Sequence, residues 1–260
     1  MKKTIYLIIF IIFAIAIYLN RTYANIYNTI GKANLPAPAE KNYFFRSEDV
    51  CGERSGISPQ QVKNNFSCEK IKIAFLGDSL TAGVGVNELA HTYPYLVAQK
   101  IANEQKKQVE VLNLGIPGAT SADVLNNQVK LTNDFKPDEV YLFIGTNDMH
   151  NFVPLPKFYE NLANILQGLN VKPVTMLNIP YLGSSKSFLP PYQTYFDWQT
   201  KKYNQIIKQV ATDNNILYSN IYSQTISIFK KNKLFYANDN FHPNDEGYKM
   251  IAEAIDYQIE

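Results

Sequence analysis

The chemistry centres on one serine enclosed by glycines. In the stretch Phe75 to Gly85, FLGDSLTAGVG, Ser79 follows an apolar run and has Gly77, Gly83 and Gly85 around it. Three uses fit: a phosphate-cradling loop, a plain strand-to-helix turn with a capping serine, or a serine raised as a nucleophile. A phosphate loop of the G-x-x-x-x-G-K-[ST] kind needs a lysine reaching forward, and this stretch has none. An alcohol is a weak nucleophile at its own pKa, so it needs a base, and the base needs an acid that fixes its tautomer. The chain has three histidines, His91, His150 and His242. His242 lies in DNFHP with Asp239 three residues before it, immediately ahead of the last helical pattern. One loop can therefore present a carboxylate to Nδ1 and leave the other ring nitrogen for the serine. The plainer alternatives are a capping role for Ser79 and a helix-entry turn at HPND, with Asn244 or Asp245 as the cap. A tetrahedral oxyanion also needs donors aimed at it. The backbone N–H groups of Ser79 and Gly115 and the side-chain amide of Asn147 are candidates. Equally, Gly115 can simply end a strand, and Asn147 and Asp148 can hold their own loop.

Such groups must be brought together by the elements that carry them. Short apolar runs recur at Ile71 to Gly77, Val109 to Gly115, Glu139 to Gly145, Val174 to Pro180 and Ile216 to Ile221. Their lengths and β-branched content suit buried parallel strands. Helical patterns separate them, near 93–107, 121–134, 156–169 and 197–214. A final segment places Tyr248, Ile251, Ala252 and Ile255 on one helical face. Five alternations of strand and helix predict a doubly wound, three-layer α/β domain with a five-stranded parallel sheet and right-handed crossovers. Ligands in such sheets bind beyond the carboxyl ends of the strands. Those ends carry Gly77-Asp78-Ser79, Gly115 to Gly118, Gly145 to Asp148 and Pro180-Tyr181, so four polar loops converge on one rim. The aromatic and proline-rich loops Met149–Tyr159 and Tyr181–Trp198 are placed either to shape an apolar groove there or to pack onto the domain.

The remainder of the chain bounds where this chemistry takes place. With 260 residues and 46% hydrophobic residues it can bury one sizeable core. A net charge of +2, from 25 basic and 23 acidic residues, gives no reason to expect a nucleic-acid partner. Lys2 and Lys3 precede an uncharged apolar run from Ile5 to Leu19, the pattern of an export signal or membrane anchor. Ala14 and Ala16 lie inside that run and Thr22-Tyr23-Ala24 makes a weak cleavage site, which favours an uncleaved anchor over a cleaved signal; the charge of Lys2 and Lys3 favours an N-terminus in the cytoplasm, an asymmetry that Arg21 on the far side weakens. Residues 25–69, interrupted by Pro36, Pro38 and Pro59, read as a polar tether and irregular cover. The two cysteines, Cys51 and Cys68, fall in this part of the chain. Outside the cytoplasm they can form a disulfide or remain two structural thiols, and without close Cys or His companions they do not make a zinc site.

Taken together, GDSL at Gly77 to Leu80, NLGIPGAT around Gly115, GTND at Gly145 to Asp148 and DNFHP at Asp239 to Pro243 resemble the four ordered blocks of the SGNH hydrolases, the GDSL esterase or lipase family. The resemblance runs from about Ile71 to the C-terminus and is strongest to the small bacterial thioesterase, lysophospholipase and arylesterase branch. It implies a flavodoxin-like sheet and hydrolysis of acyl esters or thioesters through an acyl-enzyme, without metal or organic cofactor. It also implies roles by position: Ser79 as nucleophile, His242 as general base and then acid, Asp239 as the group that orients His242, and Ser79 N–H, Gly115 N–H and Asn147 as the oxyanion hole. The implied domain order is an anchor or signal over 1–24, tether and cover over 25–69, and the hydrolase over 70–260. Substrates in keeping with an envelope location are lipid or small acyl esters, or acetyl groups on envelope glycans; a binding protein that keeps the fold without catalysis is the remaining alternative.

Overall fold

A computed structural model describes residues 2–32, 37–38, 42–45, 69–181, 188, 190–230 and 233–256. Cys51 and Cys68 lie outside these residues, and so does the question of their pairing. The five expected parallel strands are β2 (Lys70–Gly77), β3 (Gln108–Asn113), β4 (Glu139–Phe143), β5 (Val174–Leu177) and β6 (Leu217–Ser219). Their lateral order is β3-β2-β4-β5-β6, the doubly wound arrangement. Among the described residues the sheet has six strands, however, not five. An edge strand β1 (Asn42–Phe45) pairs antiparallel with β3, Tyr43 opposite Val111. It lies within the stretch read as irregular cover. Four residues between polar segments give too short a pattern to show a strand, although the alternation is real in space: Tyr43 is 6% exposed and Phe44 62%.

Period-two alternation of the central strands fills both layers. Ala74, Leu76, Val140, Leu142 and Met176 face one side, against α4 (Ser121–Asn127), α7 (Leu155–Gly168) and α8 (Tyr192–Asp213). Ile73, Phe75, Val109, Val111, Tyr141 and Phe143 face the other, against α3 (Tyr93–Gln105) and α10 (Asp245–Glu253). Every residue of β4 is buried, as a strand covered by helices on both faces must be. α10 starts at Asn244, whose side chain accepts from Gly247 N–H, one of the two caps anticipated there.

The predicted helix over 121–134 is broken into α4 and α5 (Val129–Phe135) at Gln128. Its buried side chain accepts from Gly77 N–H at 2.9 Å and donates back to Gly77 O at 2.9 Å. The break thus secures the end of the strand that leads into Ser79. The remaining helices are α1 (Lys2–Lys32), α2 (Ser79–Ala82), α6 (Thr146–His150) and α9 (Ile221–Phe229). α1 continues well past the apolar run and leaves the apolar side chains from Ile5 to Ile17 exposed.

Candidate active site

Ser79 is the first residue of α2, where the backbone N–H groups have no intrahelical acceptor. Asp78 caps the helix, its Oδ1 accepting from Leu80 N–H at 2.9 Å. Burial pushes the Asp78 carboxyl up to about 7; the Leu80 N–H opposes that shift and the charge of Asp148 adds to it. Gly77 is required for close approach: a Cβ there would sit 2.3 Å from both Phe143 O and Thr81 Oγ1. The strand-to-helix turn can therefore be tight enough to lift Ser79 over the sheet edge.

The partner loop runs between Tyr236 and Pro243, which bridge antiparallel, with Ala237 N–H donating to His242 O at 2.8 Å. Within it Asp239 Oδ1 accepts from Phe241 N–H at 2.9 Å and His242 N–H at 3.0 Å. Its Oδ2 lies 2.6 Å from His242 Nδ1. Burial alone would raise the Asp239 carboxyl. The hydrogen bond and charge of His242 and the two backbone N–H groups outweigh it and hold the pKa below the usual value. On the far side of the ring, His242 Nε2 is 2.9 Å from Ser79 Oγ. Carboxylate, imidazole and hydroxyl thus form one unbroken line. In this arrangement the hydroxyl proton has an acceptor, and the resulting imidazolium has a counter-charge.

The expected oxyanion donors are placed differently from one another. Ser79 N–H is at the open helix end. Asn147, on α6, donates one amide hydrogen to Ala119 O at 2.9 Å, and a second remains on the same nitrogen. Gly115 does not fit the role: its N–H is taken by Asn113 Oδ1 at 2.9 Å. The same Asn113 side chain donates to Thr81 O at 2.8 Å, and a Cβ on Gly115 would meet Ala82 N at 2.2 Å. Gly115 is therefore a packing glycine that lets this loop lie against α2. Three residues on, Gly118 N–H has no acceptor among the described residues and neighbours the Ala119 carbonyl that Asn147 holds.

Other site candidates are separated or structural. Asp148 is buried and accepts from Ser121 N–H at 2.8 Å and Ser121 O–H at 2.5 Å, holding α6 to the start of α4. His91 faces Asp245 at 3.0 Å on the surface. His150 lies among Phe188, Phe196 and Phe241, and burial together with the nearby His242 lowers its pKa to about 4. It is thus held neutral one ring away from the relay.

Beside Ser79 is a cavity of about 10 Å³, walled by Leu80, Thr146, Tyr181, Phe229, Tyr236 and Phe241. That is room for about one water-sized group. Of the two loops expected to shape a groove, Tyr181 lines this cavity, and Phe188 packs behind Phe241 with ring centroids 6.0 Å apart. Phe229 and Tyr236 were not anticipated. They sit 5.4 Å apart in an aromatic cluster with Tyr181, just upstream of the histidine loop in sequence.

Comparison with known proteins places the chain among relatives. Residues 75–250 match the model of the GDSL-like lipase/acylhydrolase family. The uncharacterized protein YpmR of Bacillus subtilis is 28% identical over 227 residues, covering 77% of this chain and 86% of that protein. Among solved structures, a lipase/acylhydrolase from Enterococcus faecalis superimposes with a TM-score of 0.59 at 26% identity, covering 71% of this chain and 92% of the other. Axe2, an acetylxylan esterase from Geobacillus stearothermophilus, does so with a TM-score of 0.56 at 22% identity, covering 71% and 91%.

Proposed function

The chain belongs to the GDSL-like lipase/acylhydrolase family and is an ester-hydrolysing enzyme; from that premise we propose that it cleaves short acyl esters or thioesters through an acyl-Ser79 intermediate in the cell envelope. The observation that carries the reading is the continuous relay from Asp239 through His242 to Ser79, at 2.6 and 2.9 Å. Ser79 Oγ attacks the carbonyl carbon while its proton passes to His242 Nε2. Asp239 faces the imidazolium and holds its tautomer. The oxyanion is received by Ser79 N–H, the second amide hydrogen of Asn147 and, in place of Gly115, Gly118 N–H. Collapse expels the alcohol, which takes its proton from His242. Water then attacks the acyl-enzyme with His242 as base, and the free acid departs.

The small cavity favours one finer reading. The smallness of this aromatic-walled cavity supports short acyl groups such as acetyl, including O-acetyl groups on envelope glycans, over long-chain lipids. Envelope location rests on α1, whose Thr4–Ala24 span is long and apolar enough to cross a bilayer. In this reading residues 1–24 anchor or export the protein, 25–69 connect and cover, and 70–260 form the hydrolase. The test compares wild type with Ser79→Ala on p-nitrophenyl acetate and octanoate. Wild type should turn over acetate and the variant should not; equal turnover by both would remove Ser79 from the reaction.

A further inference from the structure

α1 does not hang free of the catalytic domain. Its apolar span, Thr4–Ala24, has a mean hydropathy of 2.1 and none of it is buried. At about 1.5 Å per residue it is roughly 31 Å long, close to the ~30 Å of a bilayer's hydrocarbon core. In the last two turns of that span the helix touches the domain. Tyr192 O–H, at the start of α8, donates to Leu19 O, and Tyr18 O–H donates to Pro190 O at 3.4 Å. The Tyr23 ring lies 5.9 Å from Tyr192 and 6.5 Å from Phe152, in the loop after α6. If the span crosses a membrane, these residues occupy its last ~9 Å, on the approach to the headgroups. The domain edge that touches them must sit there too.

That edge has the composition of an interfacial surface. Tyr and Trp gather at headgroup depth because an apolar ring and a polar tip suit a boundary. Tyr18, Tyr23 and Tyr192 are at the contact, Phe152 beside it is 52% exposed, and Trp198, further along α8, is 51% exposed. Tyr195 and Trp198 pack with centroids 6.1 Å apart, and the Lys202 ammonium lies 3.4 Å over the Trp198 ring. An ammonium held over an aromatic face keeps its charge beside the ring, a pairing that can meet a lipid phosphate. Behind that edge a run of packed rings goes inward: Tyr192 packs on Phe196, Phe196 on Phe188 and Phe188 on Phe241, the last three buried, and Phe241 lines the cavity beside Ser79.

We propose that the start of α8 and the loop after α6, with Phe152 and Trp198 exposed, form a lipid-facing surface that seats the domain on the bilayer. The partner is a phospholipid surface, engaged through interfacial aromatics and lysine. The inference rests on reading α1 as a membrane anchor, and the experiment separates the two. Trp198 is the chain's single tryptophan, so the unaltered full-length protein reports on it. The protein is reconstituted into phosphatidylcholine–phosphatidylglycerol vesicles with or without lipids brominated near the top of the acyl chain. A second reporter, Phe152→Trp in a Trp198→Phe background, is treated likewise. Both should float with the vesicles, and bromination should reduce emission to roughly half or less, as expected for rings at headgroup depth. Flotation with unchanged emission at both positions would overturn the lipid-facing surface while leaving the anchor intact. Quenching at position 152 alone would overturn the inclusion of Trp198. Absence from the floated fraction would overturn the anchor and the inference with it.

Discussion

At the scale of residues, the relay makes predictions that differ by position. Asp239→Asn keeps the shape but removes the charge facing the imidazolium, and by the precedent of other serine hydrolases kcat should fall by a factor on the order of 10⁴. Asn147→Ala should lower kcat by about 10² to 10³ with little change in KM, because its free amide hydrogen acts only when the oxyanion forms. Steady-state kinetics on p-nitrophenyl acetate measures both, and a rise in KM alone for Asn147→Ala would remove it from the oxyanion hole. His150→Ala should cost far less than His242→Ala, since His150 is held neutral among aromatic rings and does not touch Ser79. Ser79, Asp239 and His242 stood out as candidates because Ser79 follows an apolar run and Asp239 and His242 share one short loop, while their roles were implied only by the four-block resemblance; the structure brings the three side chains together. Gly115 was misread for an equally local reason. A strand-ending glycine offers an N–H in principle, but Asn113 two residues earlier reaches it first. Nothing in the spacing says which of two nearby glycines keeps its donor free.

At the scale of elements, the aromatic wall and the α4–α5 break carry the next predictions. Phe229 ends α9 and closes the cavity next to Ser79. Phe229→Leu should widen it and raise the butyrate-to-acetate ratio of kcat/KM by about tenfold, the effect of one or two methylenes in an apolar pocket. An unchanged ratio would mean that the acyl group lies elsewhere. Gln128→Ala leaves the buried Gly77 N–H without its acceptor, at about 1–3 kcal/mol, while Gly77 O keeps the Ile116 N–H at 3.2 Å, and should lower the urea midpoint accordingly. The five parallel strands were legible because each is a continuous apolar run bounded by turn residues. β1 was not, since four residues inside a polar segment gain their meaning only by pairing with β3. The break at Gln128 was hidden likewise: the helical pattern runs straight across it, and the interruption comes from a hydrogen bond to a strand 51 residues away.

At the scale of the whole molecule, the titration of one buried acid should show in folding. Asp78 is raised from 3.8 to about 7 in the folded chain, so between those values the folded state holds a proton that the unfolded state has released. The contribution of Asp78 to stability therefore falls as pH rises from about 4 to about 7, the reverse of an ordinary salt-bridged carboxylate. Asp78→Asn, which can still cap α2, should flatten that slope in thermal melts at pH 5 and pH 7.5; an equal slope in the variant would place the titration elsewhere. The proposed relay is a property of the whole chain as well, for Ser79 and His242 are separated by 163 positions and meet only because β2 and the loop before α10 end on one rim. The most direct measurement is intact-mass and peptide mass spectrometry of wild type quenched in acid during turnover of p-nitrophenyl acetate. The account predicts one acetyl group per chain, located on Ser79 and absent from Ser79→Ala. An acetyl group carried on another residue while turnover persists in Ser79→Ala would contradict it.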